Sequence, residues 1–355
     1  MTTRILYLAL AICVLTFFAS HVHAQNKRLG TAGASELLIP VGARDIAMGS
    51  SGIATSKGVE ALFWNPAGVS RIPVSAEGMF SFMSYIADVD ISYAAVAAKF
   101  GRVGTIGFSF KFVDFGDIPL TTEADPEGRT GRTYAPSYTT LSLGYSRALT
   151  DAISAGLAVK LISERIDLVS ASGFAFDVGI QYTRLAGLKG LTFGVALKNI
   201  GPEMDFDGPG LFHDALPTAG RRPVQPLKSD AASFQLPSSL ELGLAYEVPL
   251  GEQLIGIGNG VFASNNLAED TYHVGGEIGY FAAEGVELYG RGGYNFAENS
   301  TITVDGVDYD SHIYGATLGA GIVYMAPGIN VTIDYAWRDV EFFDANNVVS
   351  VKLGF

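Results

Sequence analysis

Cysteine is all but missing. The 355-residue chain holds one, Cys13, inside the apolar N-terminal stretch. Without that stretch no disulfide, thiol nucleophile or cysteine metal site is available. Charge is scarce as well: Asp, Glu, Lys and Arg make up 17% of the residues, against about 25% in ordinary soluble domains. Basic residues are the scarcer kind, 23 Lys and Arg against 36 Asp and Glu, for a formal net charge of −13. A phosphate backbone requires a basic footprint, so nucleic acid is excluded as a partner. Long apolar runs are absent too. Beyond the N-terminus no stretch of roughly 18 apolar residues occurs, so no transmembrane helix is available. Yet mean hydropathy is +0.27, and 43 residues are Gly. High apolarity without apolar runs is what a membrane β-barrel requires, because its apolar residues occupy every second position.

Motifs that carry chemistry are equally sparse. Outside the first 24 residues the histidines are His213, His273 and His312. None stands at metal-ligand or triad spacing, and no H-E-x-x-H, phosphate-cradling loop or nucleophile elbow occurs. His213-Asp214 is a loop pair. Acidic clusters at Asp205/Asp207 and Asp305/Asp308/Asp310 offer oxygens to calcium but match no EF-hand loop, and read as solvated loop charge. The expectation is a non-enzyme without cofactor or metal.

Residues 1–24 read as a cleaved secretory signal peptide. Arg4 supplies the charged start, Ile5–Ala19 the apolar core, and Val22-His23-Ala24 the small residues before cleavage at Gln25. Ile12 ahead of Cys13 breaks the lipoprotein pattern. Residues 25–73 read as a leader and luminal hatch or plug, with Gln25–Leu38 expected as an extended periplasmic leader, and residues 74–355 as the barrel.

From Val74 to Phe355 the pattern is period two, in fourteen segments, the first expected over Val74–Ala87 and the third over Arg102–Asp114. Phe174, Phe176, Val178, Ile180 and Tyr182 share one face, against Gly173, Ala175, Asp177, Gly179 and Gln181. Ile329, Val331, Ile333, Tyr335 and Trp337 oppose Asn330, Thr332, Asp334, Ala336 and Arg338. A strand segregates such sets; a helix does not. Membrane height decides between barrel and soluble sandwich. Tyr314 and Tyr324 flank Ala316, Leu318, Ala320 and Ile322 on an expected outward face, and ten tilted residues span roughly 25 Å of bilayer. Tyr272 and Tyr280 repeat the arrangement. With Tyr335 and Trp337, these six are the expected membrane-interface aromatics.

Connections agree. The longest, Phe115–Ser137, Ile200–Pro237 and Ala297–Asp310, follow the third, seventh and eleventh segments. Tight turns at Gly101, Thr150-Asp151, Pro249–Gly251 and Ala326-Pro327 follow even ones. An outer-membrane barrel with both termini periplasmic and long loops extracellular has this asymmetry. Charges of both signs fall on the other parity: Lys111, Lys160, Asp177, Lys198, Glu241, Glu277, Asp334, Arg338 and Lys352. They imply a hydrated or plugged lumen, with Arg44 and Asp45 as natural partners for the wall. Wall-to-wall pairing is the equal alternative. The C-terminal alternation Val349, Val351, Leu353, ending in Phe355, resembles the signal by which the barrel-insertion machinery recognises outer-membrane barrels.

Between Gly42 and Ile72 lies a segment rich in small residues. It contains Gly42-Ala43-Arg44, then Ala47-Met48-Gly49, then Trp64-Asn65-Pro66-Ala67-Gly68 after Phe63. Glycines suit close backbone approach in a crowded lumen, Pro66 ends the short helix expected over Gly58–Trp64, and Asn65 can hold the turn through its own backbone. This segment resembles the N-terminal signature of the PorV/PorQ family, a branch of the FadL-like outer-membrane barrels. The resemblance implies a fourteen-stranded antiparallel barrel with an N-terminal hatch. It implies partners among type IX secretion components or exported cargo, in secretion or cell-surface assembly. The alternative is a FadL-like channel for hydrophobic small molecules gated by the hatch; an outer-membrane enzyme is a remote third.

Overall fold

The computed structural model describes residues 32–122, 124–215, 225–297, 301–304, 307–310 and 312–355. The expected signal peptide and the calcium-cluster residue Asp305 lie outside them.

Fourteen long strands form the fold. They are β1 (Ala76–Ser84), β2 (Asp90–Lys99), β3 (Thr105–Asp114), β4 (Ser137–Ala148), β5 (Ile153–Ile166), β6 (Val169–Thr183) and β7 (Leu191–Ile200). After a long connection come β8 (Ser239–Pro249), β9 (Leu254–Asn265), β10 (Thr271–Ala283), β11 (Val286–Ala297), β12 (Tyr314–Ala326), β13 (Ile329–Val340) and β14 (Asn346–Gly354). Each pairs antiparallel with its sequence neighbours, and β1 pairs with β14 from Glu77↔Gly354 to Ser84↔Asn347. The sheet is therefore closed, and no edge is left to satisfy in lipid.

Its polarity is inverted relative to a soluble protein. Phe80, Leu161, Ile278 and Leu318 on the outer face are each more than half exposed, while Ser142, Lys160, Asp177 and Asp334 on the inner face are buried. Lipid is the solvent such a surface fits. Among the described residues no helix is long and apolar enough to cross a membrane, so the strands do the crossing.

Strand ends depart from expectation where turn geometry intervenes. β1 stops at Ser84 rather than Ala87, because Ala87 and Asp88 both take positive φ in the turn. β3 starts at Thr105 rather than Arg102, after a turn closed by Phe100 N donating to Gly104 O at 2.8 Å. The connection after β7 adds a short strand, Phe206–Asp207, to β6, and a hairpin, Phe212–Ala215 with Gln225–Lys228. His213 is exposed on that hairpin.

One expected outward residue is turned inward. In β12 the register moves from Tyr314↔Val340 to Thr317↔Arg338, three residues against two. The bulge inverts the parity ahead of it. Tyr314 thus shares the luminal face of Val340 and Arg338, hydrogen-bonds Tyr85 through their hydroxyls and lies 4.1 Å beneath the Arg338 guanidinium. Tyr272, Tyr280, Tyr324, Tyr335 and Trp337 keep the outward parity. Tyr280, Tyr324 and Tyr335 are more than 40% exposed.

Candidate functional site: the occupied lumen

Residues 32–73 lie inside the ring of strands. Short turns of helix succeed one another: Ser35–Leu38, then α1 (Ala43–Ala47), Gly52–Ala54, Gly58–Glu60, α2 (Ala61–Trp64) and Pro66–Arg71. None is long enough to stand alone; the wall holds them. α1 packs on β11 to β14, Gly52–Ala54 on β7 to β9, Gly58–Glu60 on β1 and β2, and Pro66–Arg71 on β3 to β6. Arg44 reaches the remaining strand, β10, through Glu277. The segment touches every strand of the barrel.

Asn65 organises the break between α2 and the next turn. Its Oδ1 accepts from Ala67 N at 3.1 Å, as the Asn-Pro pair predicts. Its Nδ2 contacts the carbonyls of Ile53 at 2.9 Å and of Ile180 and Val195 at 3.2 Å. Trp64 Nε1 donates to Val41 O at 3.1 Å. Wall glycines admit this close approach. A Cβ on Gly156 would stand 2.3 Å from the Pro66 carbonyl carbon, and one on Gly293 would stand 2.2 Å from Gly49 N. Met48 is fully buried, and Gly42 and Gly49 take positive φ at the two ends of the α1 region. The motif residues Gly42, Arg44, Met48, Gly49, Trp64, Asn65, Pro66, Ala67 and Gly68 are thus all part of one packed body.

The wall charges divide between the segment and one another. Arg44 makes a two-pronged contact with Glu277, Nη2–Oε1 3.0 Å and Nε–Oε2 3.1 Å. Glu277 also receives Arg291 Nε at 2.5 Å, and Arg291 Nη1 reaches Asp334 at 2.6 Å. Lys352 pairs with Glu60 at 3.2 Å, and Lys111 Nζ donates to the carbonyls of Glu36 and Ile39 at 2.5 Å. Lys160–Asp177 at 2.6 Å and Lys198–Glu241 at 3.1 Å are pairs within the wall. Lys198 Nζ also sits 4.6 Å over the Phe63 ring of the segment. Arg338 instead faces Tyr314 and Tyr85. Arg291 was not singled out from the sequence, although it shares the inward parity of Asn295 within its strand. Nor were Glu77 and Thr317, which, with Gln181 of the inward set, bind the segment's backbone: Val59 N to Glu77 Oε2 at 2.9 Å, Gln181 Nε2 to Ser56 O at 3.0 Å, and Thr317 Oγ1 to Ala47 O at 2.9 Å.

Over its described part, residues 32–38, the expected extended leader is instead a turn of helix, Ser35–Leu38, packed inside the barrel. Arg71 bonds Ser154 and Ala152 at the short-turn end, where β1 and the C-terminal Phe355 also lie. Ala34 and Leu37 pack with Ile162, Ala171, Met204 and Leu236 at the opposite, long-loop end. The chain climbs the height of the lumen between them. Among the described residues, the N-terminal end and the C-terminus are at opposite mouths. At the upper end, burial and then the neighbouring Glu164 carboxylate push Glu36 up to about 8. The space beside Phe63, Leu37 and Lys111 is about 20 Å³, room for about one water.

Among the described residues no group of three or more His, Cys, Asp or Glu side chains is placed to hold a metal ion. His273 Nδ1 lies 3.0 Å from Gly49 O, and Asp207 pairs with Lys228 at 2.6 Å.

A protein family and several solved structures resemble this chain. The family model described as type IX secretion system protein PorV matches residues 22–222. The chain belongs to the PorV family. Among solved structures, the Pseudomonas putida toluene transporter TodX is similar at 13% identity and a TM-score of 0.55, over 88% of this chain and 97% of that one. The Ralstonia pickettii toluene transporter TbuX is similar at 13% identity and a TM-score of 0.52, over 89% and 98%. The CymD monoaromatic hydrocarbon channel is similar at 12% identity and a TM-score of 0.55, over 89% and 97%. At such identities the likeness is one of fold: a closed fourteen-stranded antiparallel outer-membrane barrel. No curated protein matches the chain.

Proposed function

We propose that this member of the PorV family is a non-enzymatic outer-membrane barrel that works with protein partners in type IX-like secretion or cell-surface assembly. The short turns and C-terminus face the periplasm and the long loops face outward. The observation that carries this reading, beside the family itself, is the contact of residues 32–73 with all fourteen strands. A segment held that broadly serves better as a fixed plug, leaving loops and outer surface as the working parts, than as a swinging gate.

The second reading is a channel for hydrophobic small molecules with the segment as hatch. The fold it shares with hydrocarbon channels favours it. Deletion of the gene in its host separates the two. Loss of exported cargo from the cell surface, with unchanged uptake of a radiolabelled aromatic hydrocarbon, is the expected outcome. Normal surface cargo with reduced uptake would replace the first reading by the second.

A further inference from the structure

The outer surface carries a groove that the luminal packing does not use. It crosses β14, β1, β2 and β3 and has a volume of about 480 Å³, within the range of small-ligand clefts. Gly78 and Ala94 form its floor, and Phe80, Val96, Phe108 and Leu353 its walls. All six carry the outward parity, so the groove opens into the lipid belt. Its height is specific. Gly78 is near the start of β1, Leu353 near the end of β14, and the Val96↔Phe108 pair near the β2–β3 turn. The groove therefore occupies the half of the belt next to the short turns.

The turn below it is basic. Arg102 stands exposed in it, and Arg147, on the outward parity of Tyr145, is exposed at the adjoining end of β4. Neither makes an ion pair among the described residues. Beside Arg102, Phe100 is 54% and Val103 63% exposed, the placement of residues that enter a membrane interface. Tyr145 Oη donates to Val103 O at 2.6 Å and fixes the turn against β4. On the far side of the barrel the corresponding turns expose Glu252 and Glu284 instead. In a chain of net charge −13, cations beneath an apolar groove select a ligand with a hydrocarbon tail and an anionic head. An acidic protein would answer the charge but leave the groove empty.

We propose that this face binds an anionic glycerophospholipid, one acyl chain in the groove and its phosphodiester on Arg102 and Arg147. Its assignment to the periplasmic leaflet rests on the orientation given above. The site would hold the barrel in register with that leaflet through one specific lipid.

Native mass spectrometry of the full-length protein, offered equal phosphatidylglycerol and phosphatidylcholine, tests it. Wild-type protein should retain phosphatidylglycerol preferentially. Arg102→Glu with Arg147→Glu should cut that retention by roughly thirtyfold or more, the fold-change that corresponds to about 1 kcal/mol for each cation near an anionic headgroup. Ala94→Phe, which fills the groove, should lower retention of both lipids. Folding of each variant is checked by heat-modifiable migration on unboiled gels, with Arg102→Gln as the milder substitute. Equal retention of the two lipids, or variants that retain them as wild type does, would overturn the proposal. Leaflet placement is read separately: Arg102→Cys should escape a membrane-impermeant maleimide on intact cells. Labelling there would sink the orientation while leaving lipid preference in micelles intact.

Discussion

Arg44→Ala probes how firmly the luminal segment is seated. The substitution removes the contacts to Glu277 at 3.0 and 3.1 Å and one to Asp45 at 3.1 Å. Glu277 is 4% exposed, so its charge cannot turn to solvent, though Arg291 still holds it at 2.5 Å. Breaking a buried pair by removing one partner costs 3–5 kcal/mol; the surviving Arg291 contact places this case near the lower end, about 3 kcal/mol. That corresponds to a roughly 150-fold rise in the population with α1 displaced. In planar bilayers the variant should show frequent high-conductance openings that wild type rarely shows. Its melting in detergent should fall, and neither effect should be rescued by salt, because the pair is buried and unscreened. Glu277→Gln should cost more, since it leaves Arg44 and Arg291 facing a neutral amide. The double variant should cost less than the sum of the singles, as expected for groups in direct contact. Openings and melting within about 0.5 kcal/mol of wild type for Arg44→Ala would refute the claim that this network seats the segment.

Deleting residues 42–72 should leave a barrel that still inserts but conducts ions far better; unchanged conductance would remove the plug assignment. Gly293→Ala should destabilise the segment by about 1–3 kcal/mol through overpacking against Gly49, seen as a lowered heat-modifiability midpoint. Glu36 makes the upper end pH-sensitive. Its carboxyl lies near 8 when docked, against 4.5 for a free glutamate, so the docked state binds the proton more tightly. Docking is then strongest below about 4.5 and weakens as pH rises toward about 8. Protection of residues 34–37 from hydrogen exchange should fall from pH 6 to pH 9 beyond the intrinsic rate change, and Glu36→Gln should abolish that fall.

Much of this molecule is local and therefore legible in one dimension. Period-two alternation reports the pleat directly, which is why fourteen strands, their order and the inward parity of Lys160, Asp177, Glu277 and Asp334 follow from spacing alone. The Asn65-Pro66 break is local as well, set by the ring of Pro66 and the Asn65 side chain. Pairing is not local. Arg44 and Glu277 are 233 positions apart, and only closure of the sheet brings β10, β11 and β13 around α1. The position of Tyr314 was hidden for another reason. One extra residue in a strand inverts every parity beyond it, and a bulge leaves little mark in composition. Segment 32–73 has no period to read, so its climb toward the long-loop mouth emerges from where Ala34 and Leu37 find apolar cover. Local pattern carries a barrel with a charged interior and a small-residue segment ahead of it. The tertiary structure decided which charges meet, which way the segment runs and where a groove faces the lipid, because each depends on residues distant in the chain and adjacent in space.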